Sequence, residues 1–148
     1  MIVKQIVEIL AVVVVGILVG AEFSVAAFFR PILGRLPDDA FWAARGDGAG
    51  LLGKVMPFWY LASFVLLVAV GVVADSQRWL IGVGAGLMAA VVMLSVMVLV
   101  PINNKIAAWR TTDDVSRALA ARWDRLHWLR VAMLVVILVL LAIGVVSG

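Results

Sequence analysis

The sequence predicts an all-α integral membrane protein, an antiparallel four-helix bundle forming one domain over residues 1–148, and three observations predict it. Hydrophobic residues make up 66% of the chain and charged residues only 14%, against roughly a quarter in an ordinary globular domain. Four apolar stretches each reach the roughly 20 residues of helix needed to cross a hydrocarbon core about 30 Å thick. The basic residues gather at one set of helix ends, as membrane topology requires.

The first span covers residues 6–29. It runs past Ser24, Val25 and Ala26 without a break, so it reads as a membrane helix and not as a cleavable leader. Arg30 to Gly50 then carries Pro31, Pro37, the pair Asp38 and Asp39, and a glycine-rich run from Gly46 to Gly50, which together predict a long polar loop. The second and third spans, residues 51–74 and 79–100, are separated only by Asp75, Ser76, Gln77 and Arg78, so they form a tight hairpin. Pro101 to Leu126 is the second long connection. It includes a helix starting near Thr111 or Thr112, with Asp113 and Asp114 in its first turn, where acids favour the helix dipole. The fourth span covers 127–146. Two small-residue spacings, Gly16 to Gly20 and Gly82 to Gly86, fit close approach of helices in lipid.

Counting lysines and arginines near the helix ends orients the bundle. The side with both termini and the short hairpin holds only Lys4 and Arg78. The other side holds Arg30, Arg35, Arg45, Lys54, Lys105, Arg110, Arg117, Arg122, Arg125 and Arg130. Ten against two places loops 1–2 and 3–4 in the cytoplasm and both termini outside a cell (inner) membrane. The net charge of +3 is explained by this distribution and implies no nucleic-acid partner. Cysteine is absent, which excludes thiolate metal sites and dithiol redox chemistry. The single histidine, His127, excludes a site with several imidazoles unless chains assemble into a homo-oligomer.

Ionisable groups inside spans cost about 2.5 to 3.5 kcal/mol each on insertion scales, so they mark candidate sites. Glu22 lies about seven residues, on the order of 10 Å, before the end of the first span. Trp123, His127 and Arg130 fall within about 60° of one another on the helix entering the fourth span, with Asp124 a step further round. Asn103 and Asn104 follow Pro101 at the end of the third span. They read either as a turn device or as donors for a developing oxyanion. The topology brings Glu22, Asn103, Asn104, His127 and Arg130 to one membrane boundary. The bland alternative is an ion pair locking helices together beneath an interfacial belt of tryptophans, with Arg130 reaching outward.

The order of a glutamate-bearing first span ending near FFRPIL, an MPF at the second, VPINNKIAAW after the third and WDRLHWLR entering the fourth resembles the DUF1772 family of small membrane proteins. That family includes the fungal anthrone oxygenases of aromatic polyketide pathways. The likeness covers nearly the whole chain and is sharpest at Pro101, Asn103, Asn104, Trp109, Trp123, His127 and Arg130; Arg30 stands before Pro31 where a histidine is expected. The resemblance implies oxidation by O2 of an electron-rich lipophilic aromatic, with anthrone to anthraquinone as the model reaction and no organic cofactor. On this reading His127 is the base that forms a stabilised carbanion, with Glu22 orienting it or acting in its place. Asn103, Asn104 and Arg130 stabilise the enolate, and Trp109 or Trp123 stacks on the flat rings. A single Fe or Cu ion held by Glu22, Asp124 and His127 is the lesser alternative, since oxygenase iron sites usually use two histidines and a carboxylate. The competing function is a non-catalytic membrane binding or assembly module whose polar cluster is structural.

Overall fold

The structure, a computed structural model, describes residues 1–74 and 77–148 as four long helices: α1 (Ile2–Gly34), α2 (Asp38–Val73), α3 (Arg78–Ala107) and α4 (Arg117–Val146). Each is long and apolar enough to cross a membrane, and the described residues contain no strand. The chain is a multi-pass membrane protein. At about 1.5 Å per residue even the shortest helix extends about 45 Å, more than the hydrocarbon core, so the helices project beyond it.

This projection corrects both long loops. Arg35, Leu36 and Pro37 alone join α1 to α2, and most of residues 30–50 is helical. The glycines near Gly46 and Gly50 each cost up to about 1 kcal/mol in a helix relative to alanine. Phe41, Arg45 and Ala49 recur every fourth residue and are all buried, and this packing holds the segment helical against its propensity. The second connection is residues 108–116. The helix expected from Thr111 or Thr112 is instead a single 3-10 turn, Thr112–Asp114, closed by a capping box between Thr111 and Asp114. Backbone N–H groups of Arg110 (2.9 Å) and Thr111 (3.1 Å) donate to the Asp114 carboxylate and hold its carboxyl below the usual carboxylate range. Ser116 then caps α4 by accepting from the Leu119 N–H at 3.2 Å. Of the hairpin between the second and third spans, Asp75 and Ser76 lie outside the described residues. Gln77 enters α3 in the left-handed region at φ 57°.

Contacts between helices pair high residue numbers with low ones. Gly71 meets Ile81 and Gly53 meets Asn103 between α2 and α3; Gly144 meets Ile81 and Arg130 meets Ser95 between α3 and α4; Glu22 meets Arg130 and Arg30 meets Asp124 between α1 and α4. In each of these three pairs the helices therefore run in opposite directions. One core cluster, with Ala11, Val15, Leu18, Leu67, Met88, Val91, Leu134, Ile137 and Leu141, fills the half towards the termini. A second, with Phe41, Leu99, Ile106, Trp109 and Trp123, fills the basic end. Close approach uses Gly71 and Gly144 around Ile81. The Gly16 to Gly20 and Gly82 to Gly86 pairs meet nothing within the bundle, so they do not bring helices together inside it.

Two helices change their winding at matched positions. Val25–Phe29 in α1 and Ser95–Leu99 in α3 form π turns, each beginning six residues before a proline, Pro31 or Pro101. Proline donates no backbone hydrogen bond and its ring crowds the preceding turn, and a wider turn accommodates both effects. Ser24 and Ser95 donate their hydroxyls to carbonyls four residues back, Gly20 and Val91, both at 2.8 Å. Along the spans the outer surface is largely apolar, including Ile9, Ile17, Leu61, Val65, Met93, Val96, Val135 and Val139, as contact with lipid requires.

Candidate active site

The site is built where α4 meets the two π turns. His127 donates its Nε2–H to the Glu22 backbone carbonyl at 3.0 Å, next to the π turn of α1. Trp123 donates its Nε1–H to the Leu99 carbonyl at 3.2 Å, within the π turn of α3. Arg130, about two turns beyond Trp123, donates Nη1–H to Ser95 Oγ at 3.2 Å. Helix α4 thus holds both neighbours where their ladders are wound most loosely.

Glu22 is the centre of the cluster, 3% exposed. Its Oε1 accepts from the Tyr60 hydroxyl at 2.7 Å and its Oε2 from Arg130 Nη2 at 2.7 Å. The same Nη2 donates to His127 Nδ1 at 2.9 Å, which fixes the neutral imidazole with its proton on Nε2. Nδ1 also lies 3.3 Å from Glu22 Oε2. Both nitrogens of His127 are therefore engaged, whereas the carboxylate uses only two of its roughly four acceptor positions. The imidazole also stacks on Trp123, with ring centroids 4.7 Å apart.

A cavity of about 290 Å³ opens beside this cluster. Glu22, Tyr60, Ser95, Asn103, Trp123, His127 and Arg130 provide its polar wall; Met56, Pro57, Leu61, Phe64, Val96 and Leu99 line much of the rest. Helix α2 packs on the Arg78–Leu94 and Val100–Ala107 parts of α3 but hardly touches the π turn between them. The exposed lining residues Gly53, Pro57 and Leu61 on α2 and Val96 and Val100 on α3 flank that gap, so the cavity faces the lipid-exposed surface.

The expected site residues divide into two groups. Glu22, His127, Arg130, Trp123 and Asn103 meet at the cavity. Asn103 Nδ2 donates to the Ala49 carbonyl at 3.0 Å, tying α3 to the helical stretch of α2 that resembled a loop. Asn104 is exposed and outside the cavity, so the paired carboxamides reduce to one. Trp109 is buried against Phe41, ring centroids 6.3 Å apart, and does not line the cavity. Asp124 does not join Glu22 and His127 around an ion. It takes a forked pair from Arg45, at 2.6 and 3.3 Å, and lies 3.6 Å from Arg30 Nε. Among the described residues no group of three His, Cys, Asp or Glu side chains is arranged to hold a metal.

Three participants were not anticipated from the sequence. Tyr60 is the chain's single tyrosine, and a lone phenol inside an apolar span is a signal that was available. Ser95 anchors Arg130. Arg45 is 2% exposed, donates also to the Ala120 carbonyl at 3.1 Å and forms the second ion pair beneath the site, although the positive-inside count treated it as a solvated loop charge.

No curated protein and no solved structure matches the chain. The sequence model of one family, anthrone oxygenase, matches residues 49–140. That stretch contains Tyr60, Ser95, Asn103, Trp123, His127 and Arg130 and lacks only Glu22 of the polar cluster. With more than half its length matched, the chain belongs to the anthrone oxygenase family.

Proposed function

We infer that this protein is a membrane-bound oxygenase that oxidises an electron-rich, lipophilic, anthrone-like aromatic with O2. The observation that carries this reading is a buried carboxylate, Glu22, in the wall of an apolar cavity facing lipid, flanked by a phenol and a guanidinium. A flat apolar substrate partitions into the bilayer and enters between α2 and α3 without crossing water. Glu22, with unused acceptor positions, takes the proton from the acidic carbon. His127 is the less suitable base because both its nitrogens are occupied, and it serves to hold Glu22 in place. Once Glu22 is protonated, the enolate oxygen replaces the carboxylate as the partner of Arg130, so the charge around the guanidinium is unchanged. Tyr60 and Asn103 supply further donors to that oxygen. The carbanion adds O2, and the peroxide loses water to leave a carbonyl: the substrate carbon gives up two hydrogens and gains one oxygen. The basic end faces the cytoplasm on the bias of ten lysines and arginines against two.

The alternative, a non-catalytic binding or assembly module, is favoured by one observation: Glu22, Tyr60, His127 and Arg130 pair with one another without a ligand. O2 uptake by purified protein with a panel of anthrones and hydroquinones separates the two readings. Wild type should consume O2 above autoxidation, and Glu22→Gln should lower the rate about 10²- to 10⁴-fold, the usual share of a general base. Loss in His127→Ala with retention in Glu22→Gln would move the base to the imidazole. No uptake by folded wild type across the panel would leave the binding module as the reading.

A further inference from the structure

A second cavity, of about 230 Å³, lies on the other side of His127, lined by Ala26, Arg30, Pro31, Asp124, His127 and Trp128. Its chemistry differs from the first. The Arg30 side chain is only 9% exposed, yet its Nε is buried without a hydrogen-bond partner among the described residues. Its guanidinium lies 4.2 Å over the Trp123 ring, and its Nε lies 3.6 Å from Asp124 Oδ1, beyond hydrogen-bond reach. Asp124 is already held by the forked pair from Arg45, and Glu22 by Arg130. Three guanidiniums thus share two carboxylates around Trp123 and His127, and the cation left over is the one that lines the second cavity. A buried cation with an unspent donor is costly unless an oxyanion completes it.

We propose that this second cavity binds the phosphate oxyanion of a phospholipid headgroup or of free phosphate, with Arg30 as its principal ligand. Position favours the lipid. Arg30 lies at the basic end of α1, beside the exposed Phe28 and Phe29, and Trp128, half-exposed, forms the outer rim. Basic pockets between transmembrane helices recognise anionic headgroups in this way, and interfacial tryptophans sit at headgroup level. Phosphatidylcholine carries the same phosphate, but its choline cation cancels the charge, so a pocket with a surplus guanidinium prefers a headgroup of net negative charge.

Native mass spectrometry of the detergent-purified chain tests this, with phosphatidylglycerol or phosphatidylcholine added, alongside thermal unfolding with and without inorganic phosphate. Wild type should retain one phosphatidylglycerol under activation that strips phosphatidylcholine, and Arg30→Gln should weaken that retention at least about fivefold, as expected for one arginine at a membrane surface. Ala26→Leu fills the cavity without altering charge and should weaken it too, so it decides the matter if Arg30→Gln does not fold. The exposed Arg110→Gln is the control and should behave as wild type. A stabilising shift with inorganic phosphate that both variants abolish, without selective lipid retention, would identify free phosphate as the source. Equal retention of both lipids by wild type and variants, with no phosphate-dependent shift, would overturn the proposal.

Discussion

The two halves of the bundle are held together by different forces. Towards the termini, α1 to α4 meet through Val15, Leu18, Leu67, Met88, Leu134, Ile137 and Leu141, all essentially inaccessible and all apolar. In lipid this half gains little from excluding water and is held by close packing. Towards the basic end, the core is interrupted by Glu22, Arg45, His127 and Arg130, all buried, and both polar-walled cavities lie here. The packed half fixes the helices, and the other half tolerates vacancies because paired charges hold its walls apart. A site for a bulky ligand needs the second arrangement, and the second arrangement needs the first as its foundation.

The largest expected effect that tests this comparison is on Arg45. Arg45→Ala deletes a buried side chain, takes the donor from the Ala120 carbonyl and leaves the partly exposed Asp124 with only the longer contact to Arg30; the cavity and the lost charge-assisted hydrogen bonds together cost about 3 to 5 kcal/mol. Reversible unfolding in mixed micelles should show the loss; a variant as stable as wild type would mean that water replaces the guanidinium. Leu134→Ala in the packed half should cost about 2 to 5 kcal/mol by creating a cavity. Its ligand binding should persist at temperatures where it remains folded, whereas a parallel loss of binding would show the halves to be one cooperative site. Gly144→Ala comes next. A Cβ there would lie 2.6 Å from Ile81 Cδ1, so the substitution should cost about 1 to 3 kcal/mol, part of which Ile81→Val, which removes that methyl alone, should recover. Absence of rescue in the double mutant would mean that the backbones, not the side chain, take up the strain.

The smallest effect should come from Asp114 in the exposed connection. Its carboxyl is held low chiefly by the Arg110 and Thr111 N–H groups. The capping interaction is therefore intact above the usual carboxylate range and disappears as pH falls through the lowered value. Arg110 and Thr111 amide resonances should report the change in acid, with little effect on global stability. Asp114→Asn should remove most of the pH response, and an unchanged response would assign it to another group.

Much of this contrast was legible in the chain. The four spans follow from apolar length, and the meeting of Glu22 with His127 and Arg130 followed from placing each at the same depth in helices of opposite direction. What stayed hidden has physical reasons. The burial of Arg45 and the bond from Asn103 to Ala49 were obscured because the Gly46 to Gly50 run carries a loop's propensity, and only tertiary packing by Phe41 and Ala49 makes it helix. The placement of Asn104 and Trp109 depends on the rotation of α3 beyond Pro101, which a uniform turn of 3.6 residues misstates. Tyr60 was hidden among apolar neighbours because a hydropathy average does not register one hydroxyl.

The two π turns limit how this chain can vary in length. A π turn is locally an α-helix with one residue to spare, and each residue in a helix swings everything after it by about 100°. Arg30 and Asn103 lie downstream of these surplus residues, Arg30 over Trp123 and Asn103 at the cavity. Deleting one apolar residue from either turn would leave the hydropathy profile and every named side chain in place, while aiming the downstream residues at lipid or a neighbouring wall. Substitutions test what these residues do, but only a change in chain length tests how they are aimed.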